Sequence, residues 1–334
     1  MSEMRALLVE QLDRLLTEQG GVAILREVEG GTWPGALWAE VEGQGLALAL
    51  VPEEAGGAGL GWGDAAALWH VLGRHAAPVP LGEAMLAGAF LGAAGVELPA
   101  GFTALAPAGE AAPFGRHASA LALVDGTRVS LRAPGGATEG QNTGREPRDD
   151  VTPGSVTAEG DLPNGFGPRP ARLGLALLRA AQIGGALEKV LALTVDWANT
   201  RKQFGRPIGK FQAIQQSLAA MAAEVASVQV AVAAAARAAE ARGLDGAAFE
   251  IACAKVVAGE AATFGAATAH QVFAAIGITE EHELHHLTRR LWSWREEGGT
   301  ERGWAQEIGR AAMARGGDAL WPDLTARDIS GVPA

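Results

Sequence analysis

The sequence ANTRKQFGRPIGKFQAIQQSLAAM, residues 198–221, contains the features that decide how the second half of the chain folds. A basic pair, an aromatic residue and two glycines interrupt a helical pattern, and a glutamine-rich helical pattern follows. Gly205 and Pro207 can turn the chain, and Arg201 and Lys202 complement the negative end of the preceding helix. Taken as spacing alone, the segment predicts a short basic turn between two helices of a bundle.

The pattern stays helical from residue 170 onward for nearly the whole remainder of the chain. Its breaks, which leave four long helices, fall at 205–209, 243–246, 275–279 and 298–299. The helix predicted over 210–242 has Glu224 as its only charged residue between Lys210 and Arg237, so it is apolar on every side. Such a helix must be covered by its own bundle and by another subunit, so we expect an oligomer.

The first half of the chain divides into two regions of different composition. Residues 1–100 predict short helices between glycine loops, with one helix beginning near Asp64 as its cap. Residues 101–169 predict a small β region with a hairpin at Asp125-Gly126, and 134–168 reads as a long loop or linker in which strands can hide. We therefore expect domains at 1–100, 101–169 and 170–320, and a tail at 321–334.

Composition excludes several classes of protein. Hydrophobic residues make up 48% of the 334 residues and charged residues 19%, which indicates a folded chain. The net charge of −11 argues against nucleic acid and anionic lipid surfaces as partners. A single cysteine, Cys253, and the lack of an N-terminal apolar run or a sufficiently long charge-free helix predict a soluble, cytoplasmic protein.

Three segments resemble acyl-CoA dehydrogenases. Residues 201–212, RKQFGRPIGKFQ, resemble the family pattern R-x-Q-F-G-x-x-I-x-x-F-Q. Residues 270–285, HQVFAAIGITEEHELH, are similar to H-Q-x-x-G-G-x-G-x-T-x-E-H-x-L-H, and residues 51–60, VPEEAGGAGL, to VPEExGGxGL. The same likeness gives His282 and His285 a non-metal role, so we expect no metal site. The three segments occur in the family's order.

The resemblance implies a fold and a reaction. It predicts a mainly α protein with an N-terminal helical domain, a reduced middle β region and a C-terminal four-helix bundle. Family members use FAD to oxidise acyl-CoA thioesters to enoyl-CoA. By resemblance, Arg201 binds the pyrophosphate of an FAD from a neighbouring subunit, since a guanidinium can donate two parallel hydrogen bonds to phosphate oxygens. The implied cofactor-binding residues are Arg201, Phe204 near the adenine, Gln212, Gln271, Ala275 and Gly277.

The sequence departs from the family at three places. The family's glycine pair is Ala274-Ala275 here, and the added methyl groups narrow or displace the approach of the cofactor. No T-E-P-x-x-G-S-D-like stretch, which covers the flavin ring, occurs between 101 and 165. The base, a carboxylate whose pKa is raised by burial, would be Glu297. When Thr300 is aligned with the threonine of the family's Y-E-G-T-like stretch, however, the base position falls on Gly298, and a shift of one residue brings it to Glu297. The alternative base position of some family members lies near Leu175-Ala176.

These departures leave two functions open within the family. In one, the chain is a complete flavoenzyme whose Glu297 takes the α proton while hydride passes from the β carbon to the flavin. In the other, it is the short, base-deficient subunit of a heteromer, like the paired subunits used on steroid side chains. Expected partners are an acyl-CoA, further copies or a longer dehydrogenase subunit, and an electron-transfer flavoprotein. A helical scaffold that has lost FAD is the non-enzymatic alternative.

Overall fold

The computed structural model describes residues 3–329, with side chains for 5–326. The N-terminal part consists of five α-helices, and two further groups of elements follow. The helices are α1 (Glu3–Gln19), α2 (Val22–Glu29), α3 (Gly35–Gly43), α4 (Trp62–Arg74) and α5 (Leu81–Ala93). Leu12, Leu15 and Leu16 bury one face of α1, as their helical spacing requires. Asp64 is not the cap of α4: Gly61 is, and Asp64 instead binds Arg5 at 2.5 Å.

The middle part is a sheet of five strands. These are β1 (Thr103–Pro107), β2 (Ala112–Pro113), β3 (Ala120–Asp125), β4 (Arg128–Thr138) and β5 (Arg148–Asp161), in the order β1-β3-β4-β5-β2. β1 and β3 are parallel, and the other pairs are antiparallel. The hairpin predicted at Asp125-Gly126 joins β3 to β4.

The longest strand of this sheet, β5, lies in the segment that the sequence pattern assigned to a loop or linker. Pro134 and Pro153 pair with each other where β4 and β5 shift register. A β-ladder accommodates proline and glycine at such bulges. There these residues interrupt the alternation of apolar and polar residues by which a strand is recognised in a sequence. That is why the sequence pattern concealed β5.

The C-terminal part is a helical bundle. It contains α6 (Pro170–Thr200), a hairpin of β6 (Lys202–Gln203) and β7 (Arg206–Pro207), α7 (Gln212–Gly246), α8 (Ala248–Phe273), α9 (Leu284–Trp294) and α10 (Glu301–Arg315). The predicted basic turn is thus a β-hairpin. Two shorter helices, α9 and α10, take the place of the fourth long helix that the sequence predicted, and they pack against α6 and α8. α11 (Gly317–Ile329) makes most of the expected tail helical, and residues 330–334 lie outside the described part.

Among the residues that the structure describes, the rest of the chain covers only one face of α7. Met221, Val225 and Val228 are buried against the bundle, whereas Ala226 and Val230 are exposed, the latter by 69%. By length and composition alone, α7 and residues 248–278 could each cross a bilayer. Core helices of soluble proteins pass the same test, and α8 packs against both α6 and α7. The open face of α7 is the surface for which the sequence predicted another subunit.

Candidate active site and cofactor surface

Glu297 lies in a buried ion-pair cluster between the sheet, α6 and the turn from α9 to α10. Its Oε1 accepts hydrogen bonds from Asn142 Nδ2 at 2.8 Å and from Arg148 Nε at 2.9 Å. Its Oε2 accepts from Arg179 Nε at 2.7 Å and from Arg148 Nη2 at 3.1 Å. Both carboxylate oxygens therefore have two donors each.

The same two arginines bind two further carboxylates. Arg179 Nη2 donates to Glu83 Oε1 of α5 at 2.5 Å, and Arg148 Nη2 donates to Glu146 Oε2 at 3.2 Å. Trp294 Nε1 also donates to Glu146 Oε2, at 2.9 Å. Glu83, Glu146 and Arg179 are all buried. Because a buried charge needs a partner and full hydrogen bonding, this network fixes its members in one arrangement.

The environment of Glu297 favours its ionised form. Burial by itself raises the pKa of this carboxyl, but the charges and hydrogen bonds of Arg148 and Arg179 outweigh it and lower the pKa to about 2. Burial by itself lowers the pKa of Arg148 and of Arg179, but the charges of the same carboxylates outweigh it and raise both pKa values. A base poised for proton abstraction needs a pKa near the working pH, which is the opposite direction.

The turn that carries Glu297 presses directly on α6. Gly298 has φ +67°, and a Cβ at this position would lie 2.7 Å from the backbone nitrogen of Ala176. A side chain therefore does not fit at 298. The two other positions considered for the base, Gly298 and Leu175-Ala176, thus lie against each other. Neither has a carboxylate.

A small cavity of about 170 Å³ opens beside Glu297. Leu105, Pro113 and Leu175 contribute its apolar lining, and Arg148, Arg179, Glu297 and Glu110 its charged groups. Burial and the nearby charge of Glu297 raise the pKa of Glu110. Ligand pockets usually measure about 300–1,000 Å³, so this cavity is too small for a flavin ring together with a thioester.

The predicted cofactor residues lie at the far end of the bundle. Phe204 forms the tip of the β6–β7 hairpin, where it has φ +52° and is 90% exposed. Arg201 is exposed at the end of α6, and Gln212 is exposed at the start of α7. The guanidinium of Arg206 lies over the Phe211 ring, 4.3 Å from its centre.

Contacts between helix ends bring the Gln271 segment to this hairpin. Ile208 and Val272 pack in one small cluster with Ala198, and the rings of Trp197 and Phe273 stack at 5.0 Å. The end of α8 therefore lies beside the end of α6. Gln271 and Ala275 are exposed there, whereas Gly277 is buried next to Phe273.

The structure does not bring Glu297 to this group. Glu297 contacts Arg179, near the start of α6, whereas Arg201 follows the last residue of the same helix. At 1.5 Å per residue, the stretch from 179 to 201 corresponds to about 33 Å. One chain thus separates the proposed cofactor surface, formed by Arg201, Phe204, Gln212, Gln271 and Ala275, from the cluster around Glu297.

Ala274 lies at the family's glycine pair and has a backbone conformation that suits glycine, φ +55° and ψ −140°. Non-glycine residues in such regions cost about 1–3 kcal/mol. We expect Ala274→Gly to raise the free energy of unfolding by about 1 kcal/mol, after the greater entropy of glycine in the unfolded chain is counted. Chemical denaturation measures this. The matched variant Ala275→Gly, whose φ is not positive, should lower stability, and an equal gain in both variants would contradict the assignment of strain to Ala274.

Sequence reasoning missed the arginine partners of Glu297, although one signal was present. Arg179 is the only charged residue between Arg172 and Glu188, in an otherwise apolar stretch of helix. A lone arginine in such a stretch indicates a buried partner. Arg148 and Asn142 gave no comparable signal, because both lie in the segment that was interpreted as a loop.

The histidine-rich segment takes part in another ion-pair cluster. His286 Nδ1 lies 2.8 Å from Glu29 Oε1 of α2, and Arg290 Nη1 donates to the same oxygen at 2.8 Å. Burial raises the pKa of Glu29, but His286 and Arg290 outweigh it and lower the pKa to about 2. The side chain of His286 thus links the N-terminal helices to α9.

Comparisons with known proteins agree with this architecture. Residues 174–315 match the family model described as the C-terminal domain of acyl-CoA dehydrogenase. The chain is 32% identical to acyl-CoA dehydrogenase IpdE2 of Mycobacterium tuberculosis over 86% of this chain and 91% of that protein. It is 30% identical to IpdE2 of Mycolicibacterium smegmatis over 87% and 93% of the two chains.

Solved structures show the same fold. A variant of the Tcur3481-Tcur3483 steroid ACAD has a TM-score of 0.79 at 24% identity, covering 92% of this chain and 97% of that one. The ChsE4-ChsE5 complex from Mycobacterium tuberculosis has a TM-score of 0.75 at 24% identity, covering 95% and 98%. The resemblance and the fold class are therefore confirmed, and the chain belongs to the acyl-CoA dehydrogenase family.

Proposed function

We propose that this chain is the base-deficient subunit of a heteromeric acyl-CoA dehydrogenase. In this proposal it contributes the end of its bundle to an FAD that is seated mainly in a longer partner subunit. The partner supplies the base and the flavin-ring pocket for the α,β-dehydrogenation of an acyl-CoA.

The main support for this proposal is the hydrogen bonding and the low pKa of Glu297. Each carboxylate oxygen of Glu297 accepts two hydrogen bonds, and two arginines hold its pKa at about 2. A carboxylate with this pKa and no free lone pair directed at a substrate is a poor acceptor for an α proton. Gly298 has no room for a side chain, and Leu175 and Ala176 are apolar.

The chain's residues fit one half of FAD. When bound, FAD accepts hydride from the acyl chain. Arg201 is exposed and suited to the pyrophosphate, and Phe204 offers an exposed ring for the adenine. Gln271 and Ala275 are exposed beside them. The cavity at Glu297 does not fit the flavin ring, because paired arginines and carboxylates fill its surroundings.

The exposed face of α7 supports a partner subunit. Val230 is 69% exposed on this face, and the helix has few charges that would oppose burial. Two of the similar structures are named as the Tcur3481-Tcur3483 and ChsE4-ChsE5 proteins, and the latter is a complex of two different chains. We extend this arrangement to the present chain, with an electron-transfer flavoprotein as the electron acceptor, as in the family.

Flavin content tests the proposal. The chain purified alone should lack the yellow absorbance of FAD, and co-expression with a longer dehydrogenase subunit encoded beside it should give a yellow complex that oxidises an acyl-CoA. In that complex, Glu297→Gln should leave kcat unchanged within about twofold. A yellow, active chain without a partner, inactivated by Glu297→Gln, would establish the complete-flavoenzyme alternative instead. A complex without flavin would favour the scaffold.

Arg201→Ala should release FAD from the complex without unfolding this chain. Loss of a bidentate contact with phosphate costs about 1.5–3 kcal/mol, which predicts roughly a 10- to 150-fold weaker affinity for FAD. Fluorescence titration with FAD measures the affinity, and circular dichroism checks the fold. Arg310→Ala, which removes an exposed arginine of α10, is the matched control. Unchanged flavin affinity in the Arg201 variant would remove this residue from the site.

A further inference from the structure

The loop that joins β5 to α6 contains the one asparagine–glycine pair in the sequence, Asn164-Gly165. Asn164 is exposed and Gly165 is half-buried, in a turn where the Phe166 nitrogen donates to the Pro163 oxygen at 3.5 Å. Gly165 has φ +103°, a conformation that suits glycine. The loop belongs neither to the Glu297 cluster nor to the cofactor surface.

Two neighbouring groups in this turn are available to react with each other. Within the part of the chain that the structure describes, no hydrogen bond holds the side-chain amide of Asn164 or the backbone nitrogen of Gly165. A backbone nitrogen reaches the carbonyl carbon of the preceding side chain most easily when it belongs to glycine, because no Cβ crowds the approach. Such an attack closes a succinimide ring.

The other two asparagines are protected by their surroundings. The Asn142 side chain donates to Glu146 and to Glu297, each at 2.8 Å, and Asn199 lies inside α6. In a helix, the nitrogen that would attack already donates to the carbonyl four residues earlier. Both asparagines also precede a threonine, whose branched side chain is stiff and crowds its own nitrogen.

We propose that Asn164 is a modification site, at which the side-chain amide is lost through a succinimide. The Gly165 nitrogen gives up its proton and bonds to Asn164 Cγ, and Nδ2 leaves with that proton as ammonia. One molecule of water then opens the ring at either carbonyl, which gives aspartate or isoaspartate at position 164. The reaction needs only water, so it does not depend on the proposed function.

The product alters a contact between this loop and the end of α7. The Gly165 oxygen accepts a hydrogen bond from the Asp245 nitrogen at 3.0 Å. Gly243 has φ +73°, and a Cβ there would lie 2.5 Å from the same oxygen, so the two backbones pack closely. Isoaspartate adds one carbon to the backbone directly before Gly165. We therefore expect the Gly165 carbonyl to move away from Asp245 and the loop to hold α7 less firmly.

Incubation of the full chain at mildly alkaline pH, in water enriched in heavy oxygen, tests the site. Peptide mapping by mass spectrometry should show conversion of amide to acid at Asn164 roughly tenfold or more faster than at Asn142 or Asn199. Each product should contain one heavy oxygen, and isoaspartate should accompany aspartate. Equal rates at the three asparagines, or no conversion at Asn164, would overturn the site. Aspartate alone would overturn the succinimide route, because direct hydrolysis of the amide forms no isoaspartate.

Two variants connect the modification to the contact with α7. Asn164→Gln should stop the conversion, because a longer side chain places its carbonyl carbon less favourably for ring closure. Asn199→Gln, the matched control, should leave conversion at Asn164 unchanged. Incubation should lower the melting temperature of the unsubstituted chain by about 2 °C, the shift expected when about one hydrogen bond is lost, and should not lower that of Asn164→Gln. Equal shifts in the two chains would overturn the effect on α7.

Discussion

Replacing Arg179 with methionine is expected to lower the free energy of unfolding by about 3–5 kcal/mol, the usual cost of leaving buried charges without their partner. Arg179 is 1% exposed and holds both Glu83 and Glu297, so its loss leaves two buried carboxylates with fewer compensating contacts. Denaturant unfolding followed by circular dichroism measures the change.

Two controls separate this electrostatic effect from lost packing. Arg310→Met removes an exposed arginine from α10 and should change stability by less than about 0.5 kcal/mol. Adding Glu83→Gln to Arg179→Met should recover part of the loss, because one uncompensated charge disappears. A double variant no more stable than Arg179→Met alone would show that packing, rather than charge, accounts for the effect.

Replacing Lys255 with methionine is expected to raise the free energy of unfolding at neutral pH, the opposite of the effect expected for Arg179→Met. Lys255 is fully buried in α8, and its Nζ donates to the carbonyl oxygen of Arg295 at 2.6 Å. Burial, followed by the charge of Arg179, lowers its pKa from 10.5 to about 7. Since one pKa unit is about 1.4 kcal/mol, the buried charge costs several kcal/mol, and we expect a gain of roughly 3 kcal/mol after the lost hydrogen bond.

The pH dependence of Lys255 gives a second readout. Between pH 7 and pH 10.5 the unfolded chain keeps the proton that the folded chain has lost, so stability should rise with pH across this window. Few other side chains titrate in this pH window, because the sequence has no tyrosine and only one cysteine. The rise should disappear in Lys255→Met and persist in Lys189→Met, which alters a partly exposed lysine of α6. An unchanged slope in Lys255→Met would contradict the assignment.

Local pattern was sufficient for much of the bundle. The start of α6 at Pro170 and the interruptions near 201–211 and 274–283 follow from proline, glycine and apolar spacing, which act over a few residues. The motifs around Arg201 and Gln271 indicated the family for the same reason, since each is a short contiguous segment. The pattern failed at β5, where paired bulges place proline and glycine inside a strand.

The candidate base shows where sequence reasoning stops. The family resemblance, with a shift of one residue from the spacing to Thr300, made Glu297 the candidate base, and burial of a carboxyl was expected to raise its pKa. The direction depends on what surrounds the carboxyl, and Arg148 and Arg179 come from segments 149 and 118 residues away. No local pattern reports such a pairing.

The sequence by itself determined the helices of the bundle, the family and the residues presented at the end of α6, because helix spacing and turn chemistry are local properties. Only the tertiary structure decided that two arginines neutralise Glu297, that Gly298 has no room for a side chain, and that the Glu297 cluster lies far from Arg201. These features depend on distances between segments far apart in the chain, and packing alone sets those distances.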